Sequence, residues 1–262
     1  MGRVFAIMSG KGGVGKSTLT AALAEFYARM GKTVALLDGD VGLRCADLML
    51  NVQDRVIYDL GDLVDKTCDM DQALLQHPEL PNLSLLAAPQ AITVSEVKHK
   101  TMDRIITDLS QRTDILLLDA PAGLGKGLKN LLGSTAEPVI VATLDDVSLR
   151  DAERLSSLLS QREEPHPSLV LNRVRRSWVR RGLTPPPEQT AAALDMPLMG
   201  IIPESEKINL ALLRHESALR CGDRRVVKAI EVIAARLLGA DAPLPPYAPS
   251  AVLRFFNRET SA

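Results

Sequence analysis

The stretch Ser9-Gly10-Lys11-Gly12-Gly13-Val14-Gly15-Lys16-Ser17-Thr18 contains a complete G-x-x-x-x-G-K-[ST] phosphate loop, with an extra lysine, Lys11, near its start. The residues on either side fix its setting. Val4 to Met8 reads as a short buried strand, and Ser17 to Met30 as a helix with apolar residues at Leu19, Leu23, Phe26, Tyr27 and Met30. Glycine tolerates unusual backbone angles and close approach. Gly10, Gly12, Gly13 and Gly15, with Val14 between them, can therefore turn successive N–H groups toward a phosphate at the helix N-terminus. In that arrangement Lys16 reaches the β- and γ-phosphates, Ser17 offers its hydroxyl to Mg²⁺, and Thr18 neighbours the α-phosphate. The competing reading, a flexible turn exposing two solvated lysines, fits poorly with a full motif set between a strand and a helix.

Working outward, Gly31 ends the helix and Thr33 to Leu37 reads as the next strand, ending at Asp38-Gly39-Asp40. Open parallel sheets place their ligands at such carboxyl edges, which sets Asp38 and Asp40 apart from carboxylates on a helix face. Residues 56 to 76 read as mainly helical, 83 to 88 as a strand and 94 to 110 as a polar-faced helix. Ile115 to Leu118 then ends in Asp119, the form of a Walker B element, and Ala120-Pro121-Ala122-Gly123 makes a turn near the expected γ-phosphate. Further strands are expected at 139 to 143, 169 to 171 and 200 to 202, the last two leading into Asn172 and into Pro203-Glu204. Helices are expected at 149 to 159, at 188 to 194 and, strongly amphipathic, at 225 to 238. The alternation predicts an α/β fold: a single doubly wound P-loop domain over residues 1–239, its mostly parallel central sheet covered by helices. A Pro-rich spacer (240–249) and a short amphipathic tail (250–262) follow.

Composition agrees with such a core. Hydrophobic residues make up 46% of the 262 positions but aromatic ones only 3%, so the interior relies on Leu, Val, Ile, Ala and Met. A net charge of -1 gives no general case for nucleic-acid binding. The segment 173–181, with five arginines and Trp178, is an exception that reads as a solvated loop and leaves an anionic lipid surface, a nucleic acid or an acidic partner open. Cys45, Cys68 and Cys221 lack paired spacing and point to a reducing compartment. No signal-peptide pattern or run of membrane-spanning length is read, so a cytoplasmic location is expected.

With these residues in hand, the chain resembles the MinD septum-site-determining ATPases of the ParA/MinD class, a deviant-Walker-A branch of P-loop proteins. The resemblance rests on residues 10–17, Asp38-Gly39-Asp40-Val41-Gly42-Leu43-Arg44, Val56-Ile57-Tyr58-Asp59, Asp119-Ala120-Pro121-Ala122-Gly123 and Gly200-Ile201-Ile202-Pro203-Glu204. It implies an ATPase that uses ATP/ADP and Mg²⁺ and forms an ATP-dependent homodimer. Lys11 would be the signature lysine reaching the partner's phosphates, Asp40 the switch I residue that positions the attacking water, and Asp119 the acid beside magnesium. Ser17, Asp40 and Asp119 would then hold the metal. Gly123 would belong to switch II, and Asn172, Pro203 and Glu204 to the adenine-contacting regions. Cys45 and Gly125 depart from the family pattern, where Asn and an acid are common.

The tail adds a further expectation. Residues 250 to 258 can form about two helical turns with Val252, Leu253 and Phe256 on one side and Phe255 near its edge. This resembles the membrane-targeting tail of the same family. It implies reversible attachment to anionic lipid on the cytoplasmic face of the membrane, with a Min-system inhibitor and an activator or topological regulator as partners. Docking of the tail on its own domain or on a protein stays open. So do a ParA-like DNA partition role, a flagellar-number regulator and, with weak support from the cysteines, a metal-cluster carrier.

Overall fold

A computed structural model gives the structure of the protein and describes residues 1–40, 44–89, 97–123, 125, 128, 131, 136–160, 166–245 and 247. Among these, eight strands form one sheet: β1 (Arg3–Met8), β2 (Val34–Asp38), β3 (Leu75–Gln76), β4 (Leu83–Leu86), β5 (Ile115–Asp119), β6 (Glu137–Thr143), β7 (Ser168–Val174) and β8 (Leu198–Pro203). Their order is β3-β4-β2-β5-β1-β6-β7-β8, parallel throughout except for the β3–β4 edge pair. The chain builds outward on one side of β1 and then crosses to the other. The carboxyl end of β1 therefore lies at the switch point where α/β sheets bind ligands.

Alternation along β1 shows why both faces are covered. Val4, Ala6 and Met8 enter one apolar cluster, and Phe5 and Ile7 enter the other. The helices, in chain order, are α1 (Lys16–Arg29), α2 (Ala46–Met49), α3 (Leu60–Val64), α4 (Met70–Ala73), α5 (His99–Arg112), α6 (Asp146–Leu159), α7 (Arg176–Arg180), α8 (Pro187–Ala193), α9 (Glu206–Leu213) and α10 (Arg224–Leu237). The first cluster takes its helical cover from α3 to α8, the second from α1, α2, α9 and α10. Tyr27 ties α1 to α10 by donating its hydroxyl to the Ala234 carbonyl at 2.9 Å.

Two local expectations are corrected. Residues 56 to 76 are not one helical stretch, because Asp59 and Asp69 each cap a separate short helix with reciprocal side-chain bonds. Between the two, Lys66 adopts a left-handed φ of 60°. The arginine-rich segment is not a simple loop: α7 buries Val179, and Arg175 stacks 4.5 Å from the ring centroid of Trp178. Helix α9, a segment for which no element was expected, carries Ala211 into the core. The amino-terminal part of the expected helix at 94–110, Val41 to Leu43 and the tail from 248 onward lie outside the described residues. Within the expected spacer, Leu244 and Tyr247 pack against the first cluster and Arg236 donates to the Ala242 carbonyl at 2.8 Å.

Candidate functional site

The phosphate loop leaves β1 and enters α1 through Gly15, whose φ of 95° is left-handed. A Cβ there would stand 2.3 Å from the Asn172 amide nitrogen, so both the backbone angle and the neighbour require glycine. Asn172 lies at the carboxyl end of β7. Its Nδ2 donates to the Val14 carbonyl at 2.7 Å, and its Oδ1 accepts from the Arg173 N–H at 2.9 Å. Gly10 packs on α6, where an added Cβ would meet Asp151 at 2.6 Å, while Gly12 faces open space. The loop is thus held at its two ends and open in its middle.

Lys16 is the centre of charge. Its Nζ donates to Asp119 Oδ1 at 2.7 Å and to Ser17 Oγ at 3.2 Å, and lies 3.5 Å from Asp40 Oδ2. The three residues expected to hold a metal therefore converge on one ammonium. Thr20 adds a hydroxyl bond to Asp119 Oδ1 at 3.3 Å, yet Asp119 Oδ2 is buried with no partner. Burial works to lower the Lys16 pKa, but the charge and hydrogen bond of Asp119, followed by Asp40 and Asp38, outweigh it and hold the ammonium above its ordinary value.

Asp38 is a constituent whose detailed role the sequence left blank. It sits opposite Asp119 in the β2–β5 register and is fully buried. Its Oδ1 accepts from the Asp40 N–H at 2.9 Å and its Oδ2 from the Ala46 N–H at 3.0 Å, so one carboxylate grips both ends of the segment that carries Asp40. Burial, with the nearby Asp119 charge, pushes its pKa up to about 7 against these bonds and Lys16. Its position at a strand's carboxyl edge was legible; the two backbone partners were not.

The other expected residues fall into two groups. Thr18, Asn172, Pro203 and Glu204 line a cleft with Gly15 and Ile208 beside the start of α1. Gly123 follows β5 with a φ of 90°, and its N–H donates to the Ser9 carbonyl at 2.9 Å, which ties the turn after Asp119 to the phosphate loop. Lys11 points elsewhere. Its Nζ lies 3.5 Å from Asp145 Oδ1, the capping carboxylate of α6, in a half-exposed pair.

This arrangement can bind a triphosphate and its divalent ion. Two carboxylates paired to one ammonium, with Asp38 close by, leave excess negative charge, and the unpartnered buried oxygen of Asp119 faces no donor of its own. A divalent cation would offset both, and Mg²⁺ needs only one or two protein ligands when phosphates complete its shell.

Comparisons with known proteins show the family. The ParA family model, described as NUBPL iron-transfer P-loop NTPase, matches residues 1–176. The septum site-determining protein MinD of Synechocystis is 36% identical over 244 residues, covering 93% of this chain and 92% of the relative. The MinC:MinD cell division protein complex of Aquifex aeolicus contains a chain that superposes with a TM-score of 0.83 at 33% identity, covering 94% of this chain and 99% of that one. MinD from Pyrococcus horikoshii, complexed with Mg-ADP, superposes with a TM-score of 0.80 at 27% identity, covering 92% and 100%.

Proposed function

The chain belongs to the MinD branch of the ParA-type P-loop ATPases, and we propose that it works there as a dimerising, membrane-binding switch driven by Mg-ATP. It is accordingly an ATP-hydrolysing enzyme of the class that takes part in division-site placement. The observation that carries the mechanism is the Lys16 ammonium held among Asp119, Asp40 and Ser17 on the phosphate loop. When ATP binds, Lys16 exchanges Asp119 for the terminal phosphates, and Ser17, Asp40 and Asp119 would then hold Mg²⁺, which would supply positive charge against that of the transferring phosphoryl group. Asp40 orients the attacking water from a segment pinned by Asp38. The backbone around Gly123 senses the γ-phosphate, and the adenine lies in the cleft beside Asn172, Pro203 and Glu204.

ATP binding would free Lys11 from Asp145 to reach the phosphates of a second copy. The dimer would carry two tails to the cytoplasmic face of the membrane, and hydrolysis would release them. A partner resembling MinC fits this reading because the Aquifex relative is found in a MinC:MinD complex. An activator or topological regulator would set the timing of hydrolysis.

Vesicle co-sedimentation tests the switch. With ATP the protein should sediment with vesicles containing anionic lipid, with ADP it should not, and Phe255→Glu/Phe256→Glu should abolish the ATP-dependent fraction while leaving soluble ATP binding intact. Equal sedimentation of variant and wild type would reject the tail as the anchor. The exposed arginines and Trp178 around α7 favour one second reading, DNA retention of the ParA type. Tight ATP-dependent binding to nonspecific duplex DNA without vesicle binding would favour it.

A further inference from the structure

Beside the nucleotide cleft, and meeting it at Pro203 and Glu204, a broad groove of about 1690 Å³ runs between α10, α7 and the end of β8, lined on one side by Pro243, Leu244, Pro245 and Tyr247. Its floor is apolar, built from Ile201, Ala229, Val232, Leu244 and Tyr247. Its rim is basic. Arg175, Arg176, Arg220, Arg224, Arg225 and Lys228 line the groove against three acidic residues, although the whole chain carries a net charge of only -1. Some of this charge is engaged: Arg220 pairs with Glu25 and Glu79, Arg225 with Asp223, and Lys228 with Glu231.

Arg225 is held by the N-cap carboxylate of Asp223, but local stability does not account for the placement of Arg224. It occupies the first turn of α10, which holds no acidic residue, and a cation there opposes the helix dipole. Lys228 continues the same exposed surface one turn on, in a 3.1 Å pair with Glu231 that solvent weakens.

The path of the chain says what this surface meets. Tyr247 is only 6% exposed and is seated in the groove, so the chain is anchored to the domain almost to the start of the tail. Two residues, Ala248 and Pro249, separate it from Ser250, and even at full extension the tail begins within roughly 11 Å of Tyr247. Because Tyr247 lines the same groove as Arg224 and Lys228, a tail attached so closely keeps the basic rim beside any surface on which it lies.

We propose that the basic rim of this groove, centred on Arg224 and Lys228, is a second contact with anionic lipid headgroups, made by the domain itself. The proposal rests on the reading of the tail as a membrane anchor. The tail supplies apolar attachment; the rim supplies selectivity for negative surface charge and fixes which side of the domain faces the bilayer. An acidic peptide or duplex DNA would exploit the same charge, but neither accounts for its position beside the tail's point of attachment.

Arg224→Gln/Lys228→Gln in the full chain tests this, with ATP-dependent binding measured on vesicles of phosphatidylcholine alone and with phosphatidylglycerol. Each basic residue near an anionic surface contributes about 1 kcal/mol, so the double variant should bind anionic vesicles roughly thirty-fold more weakly. Its binding to neutral vesicles and its ATP turnover in solution should match wild type. A weakening of less than five-fold on anionic vesicles overturns the proposal. If Phe255→Glu/Phe256→Glu abolishes binding while the rim variant matches wild type, only the rim assignment falls. If the tail variant sediments like wild type, both readings fall. Loss of duplex DNA retention in the rim variant, with vesicle binding unchanged, would assign the rim to nucleic acid instead.

Discussion

At Lys16 one ammonium answers to three carboxylates, and the chemistry divides among them. Removing the cation by Lys16→Ala takes away a charge-assisted bond to the terminal phosphates, so ATP affinity should fall about ten- to a hundred-fold in a nucleotide titration. Asp40→Ala should keep most of the binding but slow single-turnover hydrolysis about a hundred-fold or more, since its proposed task is to orient water. Unchanged chemistry in Asp40→Ala would reject that role. Asp38 gives a prediction about pH. Its folded pKa, about 7, lies above that of an unfolded Asp, so the native state binds the extra proton. Its contribution to stability is full below about pH 4 and is lost as pH rises through about 7. In nucleotide-free protein with chelator, the stability of wild type relative to Asp38→Asn should therefore decline across that window in denaturant titrations. A difference that is flat with pH would show that Asp38 stays ionised throughout.

At the scale of elements, five strands were legible because each holds a short apolar run that leads into a marker residue or motif: the phosphate loop after Met8, Asp38, Asp119, Asn172 and Pro203. The same runs placed the phosphate loop, both edge carboxylates and the cleft residues. What escaped depends on tertiary partners. The two-residue strand β3 exists only through its pairing with β4, and α9 is short, with Leu210 and Leu213 exposed. The grip of Asp38 on Asp40 and Ala46, like that of Asn172 on Val14, is a bond between segments that no local pattern encodes. The seat of α10 on the sheet is a further case. Gly200 in β8 lets Ile233 approach so closely that an added Cβ would meet its Cγ1 at 2.1 Å. Gly200→Val should overpack this contact and cost about 1–3 kcal/mol or more, read as a lower denaturation midpoint. A variant as stable as wild type would mean that α10 is free to shift away.

For the whole molecule, the decisive question is how ATP binding in one copy is read by another, and Lys11 is the residue we propose to carry it. Its pairing with Asp145 at 3.5 Å, with both side chains nearly half exposed, belongs to the class of surface ion pairs that contribute about 0–1 kcal/mol. A triphosphate of a second copy offers several charged oxygens in a site shielded from water, so the exchange favours the dimer. The cis pair then acts as a resting place for Lys11 rather than a barrier. Lys11→Ala should accordingly retain ATP binding by the monomer, through Lys16 and the loop backbone, but lose ATP-dependent dimerisation by ten-fold or more in sedimentation equilibrium. Asp145→Asn keeps an acceptor for the Ser148 N–H at the start of α6 and removes only the charge that holds Lys11. It should dimerise with ATP at least as tightly as wild type. Weaker dimerisation of Asp145→Asn would mean that the Lys11–Asp145 pair shapes the dimer surface itself, and equal dimerisation of Lys11→Ala and wild type would remove Lys11 from the coupling altogether.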